Sequence, residues 1–139
     1  MNYMLDTNTC IYLMTGRHPE RQSRILARLG RLAPDENLIL SSVVTFELSY
    51  GAQKGRWRKA NLALLEEFLL DFIVAPFDEK AAHIGGTIRT KLEKNGSPIG
   101  PMDILIAAHA LSLGVPLVTH NLREFSRVPG LKVENWAGE

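Results

Sequence analysis

Short apolar runs alternate with helical stretches along the whole chain, and this alternation restricts the fold more than any other feature. The runs are Tyr3-Met4-Leu5, Leu38-Ile39-Leu40, Ile73-Val74-Ala75, Val115-Pro116-Leu117-Val118 and Leu131-Lys132-Val133. Each is short enough for a buried strand, and helical patterns fill the gaps. Strands alternating with helices predict one α/β domain over residues 1–139, with a mostly parallel central sheet and helices on both faces. In such sheets, ligands bind outside the carboxyl ends of the strands. The residues that follow each apolar run are therefore the first place to look for chemistry.

The first run leads straight into Asp6-Thr7-Asn8, and an apolar segment from Cys10 to Met14 follows. Asp6 sits at a strand-to-helix turn. It either caps the helix through its side chain or belongs to a site. The second run ends in Ser41-Ser42, which can cap a helix starting near Val43 and carrying Glu47. The neighbours of Glu47 at three and four residues are Val43, Val44, Tyr50 and Gly51. A carboxylate on such a face is costly unless it is paired or bound to a cation. The alternative places Glu47 at the rim, paired with Lys54. Asp103 follows Pro101, a natural first-turn residue, and opens an apolar helix whose small residues Ala107, Ala108 and Ala110 predict close packing on the sheet. An acid there is favoured by the helix dipole. However, its neighbours Ile106, Ala107 and Ala110 are all apolar, which favours a functional role. The fourth run ends in Thr119-His120-Asn121, again on the ligand side. Asn121 and Glu124 have the spacing of a capping box, which accounts for both residues; Asn121 or His120 can also line a site.

Two basic features stand apart. Arg17, Arg21, Arg24, Arg28 and Arg31 recur every three or four residues on a helix expected over 19–32, so they form one stripe. Such a stripe is most simply a solvated face, or else a binder of phosphates or of an acidic partner segment. The Lys54–Lys59 cluster surrounds Trp57 ahead of a helix expected over 62–72. It fits an interface, or stacking on bases. The formal net charge is only +1, so total charge points to no nucleic-acid partner. Cys10 is the sole cysteine and lies in an apolar run, which excludes an internal disulfide and fits a reducing cytoplasm. No apolar run approaches the ~20 residues of a membrane span, and the expected location is cytoplasmic. The tail at 137–139 is expected to fray.

Three acids at strand ends of one sheet would repel at neutral pH unless protons or cations balance them. Hard oxygen ligands suit Mg²⁺ or Mn²⁺. The histidines lack zinc spacing, no glycine-rich phosphate loop precedes a helix, and no Ser or Cys sits in a nucleophile turn. What remains is metal-assisted hydrolysis of a phosphodiester.

Leu5-Asp6-Thr7-Asn8, Ser41-Ser42 leading to Glu47-Leu48, Asp103-Ile104-Leu105-Ile106-Ala107-Ala108 and Val118-Thr119-His120-Asn121 resemble, in order, the motifs of PIN-domain ribonucleases. The ending from Asn121 to Trp136 is similar to the VapC group, the toxins of bacterial VapBC toxin–antitoxin systems. The resemblance implies a Mg²⁺- or Mn²⁺-dependent endoribonuclease acting on RNA, with tRNA among its targets. It implies a homodimer held inactive by a VapB-like antitoxin. By motif match Asp6, Glu47 and Asp103 take the places of the metal-binding, catalytic acids. Asn121 stands where many PIN domains carry a fourth acid, and completes the candidate catalytic set. Haloacid-dehalogenase-like phosphatases also begin with a strand ending in an acid, but they need a second acid where Asn8 stands. A PIN fold that binds without chemistry is the other alternative.

Overall fold

The structure is a computed structural model that describes residues 1–138. Along the chain it forms β1 (Tyr3–Leu5), α1 (Thr7–Thr15), α2 (Pro19–Leu29), β2 (Leu38–Ser41), α3 (Ser42–Gln53) and α4 (Arg58–Leu69). Then follow β3 (Ile73–Ala75), α5 (Glu79–Lys94), α6 (Pro101–Leu113), β4 (Leu117–Val118), α7 (Leu122–Phe125) and β5 (Val133–Glu134). The strands form one sheet in the order β3-β2-β1-β4-β5, and every pairing is parallel. β1 lies at the centre, with Met4 opposite Ile39 on one side and Leu117 on the other. From β1 the chain steps outward to β2 and β3, then crosses back to β4 and β5. Right-handed connections running in opposite directions place their helices on opposite faces of the sheet. The strand order reverses between β1 and β4, and their carboxyl ends, at Leu5 and Val118, border the crevice where such sheets bind ligands.

Burial explains the apolar runs. Met4, Leu5, Leu40, Leu117 and Val118 are wholly buried, as the strands of a parallel sheet covered on both faces must be. Ser41 caps α3 by accepting from the Val43 N–H, and its hydroxyl also meets buried His109 Nδ1 at 2.7 Å. That contact ties α6 to the start of α3. Gly114 ends α6 in the left-handed region at φ 66°, which a side chain would strain.

Several local expectations change. α2 stops at Leu29 rather than at 32, because the last turn tightens: the Arg31 and Leu32 N–H groups bond the carbonyls of Arg28 and Leu29, three residues back. α4 begins at Arg58, four residues early, since Arg, Lys and Ala form a good polar first turn that an apolar pattern does not reveal. The small residues of α6 pack partly on α5 rather than only on the sheet: a Cβ at Gly85 would lie 3.5 Å from Ala108 Cβ. The tail is held as well. Ala137 is buried, and its carbonyl accepts from Arg24 Nη1. Trp136 packs edge-on against Tyr3, with centroids 5.1 Å apart, and the Arg28 guanidinium lies over both rings. Residue 139 lies outside the described residues. Among the described residues no helix is long and apolar enough to cross a membrane.

Candidate active site

Asp6 is the side-chain cap of α1, and its second oxygen reaches across to the end of β4. It is 4% exposed, and each carboxylate oxygen has a separate task. Oδ1 accepts from the Thr9 N–H at 2.9 Å and so caps α1. Oδ2 accepts from the Thr119 hydroxyl at 2.5 Å, across the crevice from β4. Thr119 Oγ1 in turn accepts from the Asn121 N–H at 3.0 Å. Burial pushes the Asp6 carboxyl above its ordinary range; the bonds from Thr119 and Thr9 oppose this, and the Glu47 charge adds to it.

Glu47 is half-buried and does not pair with Lys54. Its Oε1 accepts from the Thr7 hydroxyl at 2.6 Å, which fastens α3 to the start of α1. The Lys54 ammonium lies instead over the Tyr50 ring, 5.0 Å from its centroid.

Asp103 is raised to about 7, chiefly by burial, then by its hydrogen bond and repulsion with Glu124, with Asp6 and Glu47 adding charge. Burial also acts to raise Glu124. Against it work the bond from Asp103, the Gly100 N–H, Asn121 and the charge of Arg127, and Glu124 ends below its usual value. Asp103 is therefore the member of the pair that protonates more readily.

The capping-box account of Asn121 and Glu124 needs correction. Asn121 does cap α7, its Oδ1 accepting from the Glu124 N–H. The Glu124 carboxylate does not reach back to the Asn121 N–H. It accepts from Gly100 N–H at 3.1 Å and from Asn121 Nδ2 at 2.7 Å. Asn121 thus serves as a donor that steers an acid towards Asp103. Beside these groups lies a cleft of about 480 Å³, lined by Gly100, Asn121, Arg123, Glu124 and Arg127 among others.

Four acids gather at the carboxyl end of the sheet, each within reach of another's field. They do not close into a cage: among the described residues no three Asp, Glu, His or Cys side chains form a single metal-sized group. The donor set still suits a hard divalent cation. It consists of carboxylate oxygens, two of them on acids that burial and like charge keep protonated more readily than usual. A cation would relieve the same repulsion that raises Asp103.

Residues 3–131 match the family model of the PIN domain. The chain belongs to the PIN-domain family. It is 40% identical to the tRNA(fMet)-specific endonuclease VapC of Salmonella typhimurium over 136 residues, covering 98% of each chain. It is 42% identical to ribonuclease VapC2 of Haemophilus influenzae, again over 136 residues and 98% of each chain. The crystal structure of VapBC2 from Rickettsia felis bound to a DNA fragment from their promoter superposes with a TM-score of 0.86. It shares 38% identity over 98% of this chain and 99% of that one. These likenesses place the chain on the VapC branch of the PIN family, not among the dehalogenase-like phosphatases.

Seen as a PIN domain, the site contains more than its motif acids. Thr119 and Thr7, the donors to Asp6 and Glu47, lie inside the motifs, but nothing in their spacing shows where their hydroxyls go. Glu124 was hidden by a local explanation sufficient in itself. Arg123 and Arg127 look like ordinary surface charges until α7 brings them to the cleft.

Proposed function

We propose that this PIN domain is the toxin of a VapBC-type toxin–antitoxin pair and acts as a metal-dependent endoribonuclease, with tRNA as its substrate class. The observation that supports this is the set of four interacting acids, one of which, Glu124, lines a cleft together with Arg123 and Arg127. Acids that attract a cation, set beside cations that attract phosphate, suit a phosphodiester and little else. The tRNA assignment is supported by the name of the Salmonella relative.

Asp6, Glu47 and Asp103 would hold Mg²⁺ or Mn²⁺, with Glu124 in reach; bound there, the cation would lower the pKa of a water and stabilise charge on the phosphoryl oxygens. The chain's own groups prepare that site. Thr119 and the Thr9 amide fix both oxygens of Asp6. Thr7 fixes Glu47. Asn121 and Gly100 orient Glu124 towards Asp103. Arg123 and Arg127 would pair with phosphate oxygens along the cleft.

The antitoxin is the expected partner, in keeping with the VapBC complex of Rickettsia felis. Phe46, Tyr50 and Trp57 support its docking beside Glu47, since all three are more than half exposed. A homodimer is also expected. It is supported by apolar exposure at Leu70, Ile73 and Val74 along the β3 edge. We place the protein in the bacterial cytoplasm, where its substrate is.

Expression of the chain alone in a bacterial host tests the reading. Growth should stop, and Asp6→Asn should restore it while folded protein accumulates. Undiminished growth with folded wild-type protein present would overturn the toxin assignment and favour a binding module.

A further inference from the structure

At the strand end that carries Thr119 and Asn121 lies a second group of side chains that the acids do not explain. His120 stands between Thr119, which holds Asp6, and Asn121, which holds Glu124, yet its ring turns to α1. It meets Tyr12 edge-on, with centroids 5.8 Å apart. His18, at the start of α2, meets the same ring at 5.3 Å and 88°. Arg21 completes the group. Its Nη1 donates to the Tyr12 hydroxyl at 2.8 Å, and its Cζ lies 5.1 Å from the ring centroid.

Three observations set this group apart from ordinary packing. Arg21 is half-buried, but none of the ion pairs among the described residues includes it. Its neighbours on the stripe are committed elsewhere: Arg24 to the Ala137 carbonyl, and Arg28 to Tyr3, Trp136 and Glu134. Second, the His18 ring is exposed and caps nothing, although it heads α2. Third, buried His120 Nδ1 has no hydrogen-bond partner among the described residues, a rare condition that calls for a reason beyond packing.

We propose that Arg21, His18, Tyr12 and His120 form a nucleotide subsite for the RNA strand, separate from the cleft of Arg123 and Arg127. The inference rests on the endoribonuclease reading. Arg21 binds the phosphate, its charge uncompensated and its guanidinium steadied by the Tyr12 hydroxyl. The His18 ring offers a face on which a base can stack. His120 links the subsite to the acids through the two residues beside it. The strand is thereby gripped at two places, which helps hold it in line for attack.

The test is binding of labelled bulk bacterial tRNA to the full chain carrying Asp6→Asn to prevent cleavage, in Mg²⁺, over a range of salt. Adding Arg21→Gln should weaken binding roughly tenfold and flatten the slope of log affinity against log salt by about 0.7, the value for one single-strand phosphate contact. Arg21→Lys should recover most of both. His18→Ala, which removes no hydrogen bond of the fold, should cost about fivefold or more and leave the slope unchanged, because stacking releases no counterions. In the cleaving protein, Arg21→Gln should raise KM more than it lowers kcat. Unchanged affinity and slope in Arg21→Gln and His18→Ala would overturn the subsite while RNA cleavage by the wild type leaves the nuclease reading intact. No tRNA binding by any form, together with no cleavage by the wild type, would overturn both.

Discussion

Asp103 and Glu124 face each other as a carboxyl pair in which Asp103 is the more readily protonated member. The pair comes from two distant elements, the first turn of α6 and the short helix α7. They meet because the Gly100 N–H, one residue ahead of Pro101, binds Glu124 Oε1 at 3.1 Å. A Cβ on Gly100 would lie 3.5 Å from Asp103 Oδ2 and 3.9 Å from Glu124 Oε1, so both acids stand against this one glycine.

The raised Asp103 carboxyl makes stability depend on pH. Asp103 titrates near 7 in the fold and near 3.8 without it. The folded state thus binds the proton more tightly, and stability falls as pH rises from about 4 through about 7. In EDTA, Asp103→Asn should be more stable than wild type at pH 8.5 by about 1–2 kcal/mol, a range that allows for the screening of a half-buried group. The advantage should shrink towards pH 4. Urea denaturation across that range measures it, and a pH-independent difference would count against the raised carboxyl.

Thr119 is predicted to be a positioning residue for Asp6. Thr119→Val keeps the shape but leaves Asp6 Oδ2 buried without its donor. The expected cost is about 1–3 kcal/mol of stability, with RNA cleavage down at least about tenfold. Thr119→Ser should restore both. If Thr119→Val cleaves like the wild type, the hydroxyl does not set Asp6.

Asn121→Asp should expose the role of the amide. A fifth acid in the cluster, next to Glu124 and Asp103, adds repulsion, so Tm in EDTA at pH 8 should fall. The rise in Tm on adding Mn²⁺ should exceed that of the wild type, since more charge then awaits the cation. Equal shifts in the two proteins would argue that Asn121 lies outside any cation's reach.

Arg28 is predicted to be structural. Its guanidinium lies 4.7 Å from the Trp136 centroid and 5.4 Å from that of Tyr3, and it donates to the Tyr3 hydroxyl. Arg28→Ala should cost about 1–2 kcal/mol of stability and leave the salt dependence of RNA binding unchanged. A flatter salt slope would place Arg28 on the RNA instead.

Much of this was legible in the residues themselves. The apolar runs mark β1, β2 and β4 because those inner strands are buried on both faces, whereas the run at β3 is apolar on an exposed edge and the last run overlaps β5 only at Val133. Asp6 stands out because it ends a buried strand, and Glu47 and Asp103 because each is an acid among apolar helical neighbours. What stayed hidden depends on contacts between distant residues. Neither the bond from Thr119 to Asp6 nor that from Gly100 to Glu124 leaves a period or a spacing in the chain. The arginine stripe shows the same limit: helical spacing puts five cations in a row, but only the fold divides them, Arg28 to the aromatic pair, Arg24 to the tail and Arg21 to Tyr12. Glu124 was legible but masked, because a helix cap explained it locally.

The most direct measurement is cleavage of bacterial RNA by the purified protein, free of antitoxin, with Mg²⁺ or Mn²⁺ and with EDTA, beside Asp6→Asn. Discrete products that need the metal and vanish in the variant are the predicted result. Folded protein that cuts nothing under either metal, or that cuts equally well in EDTA or with Asp6→Asn, would contradict the account.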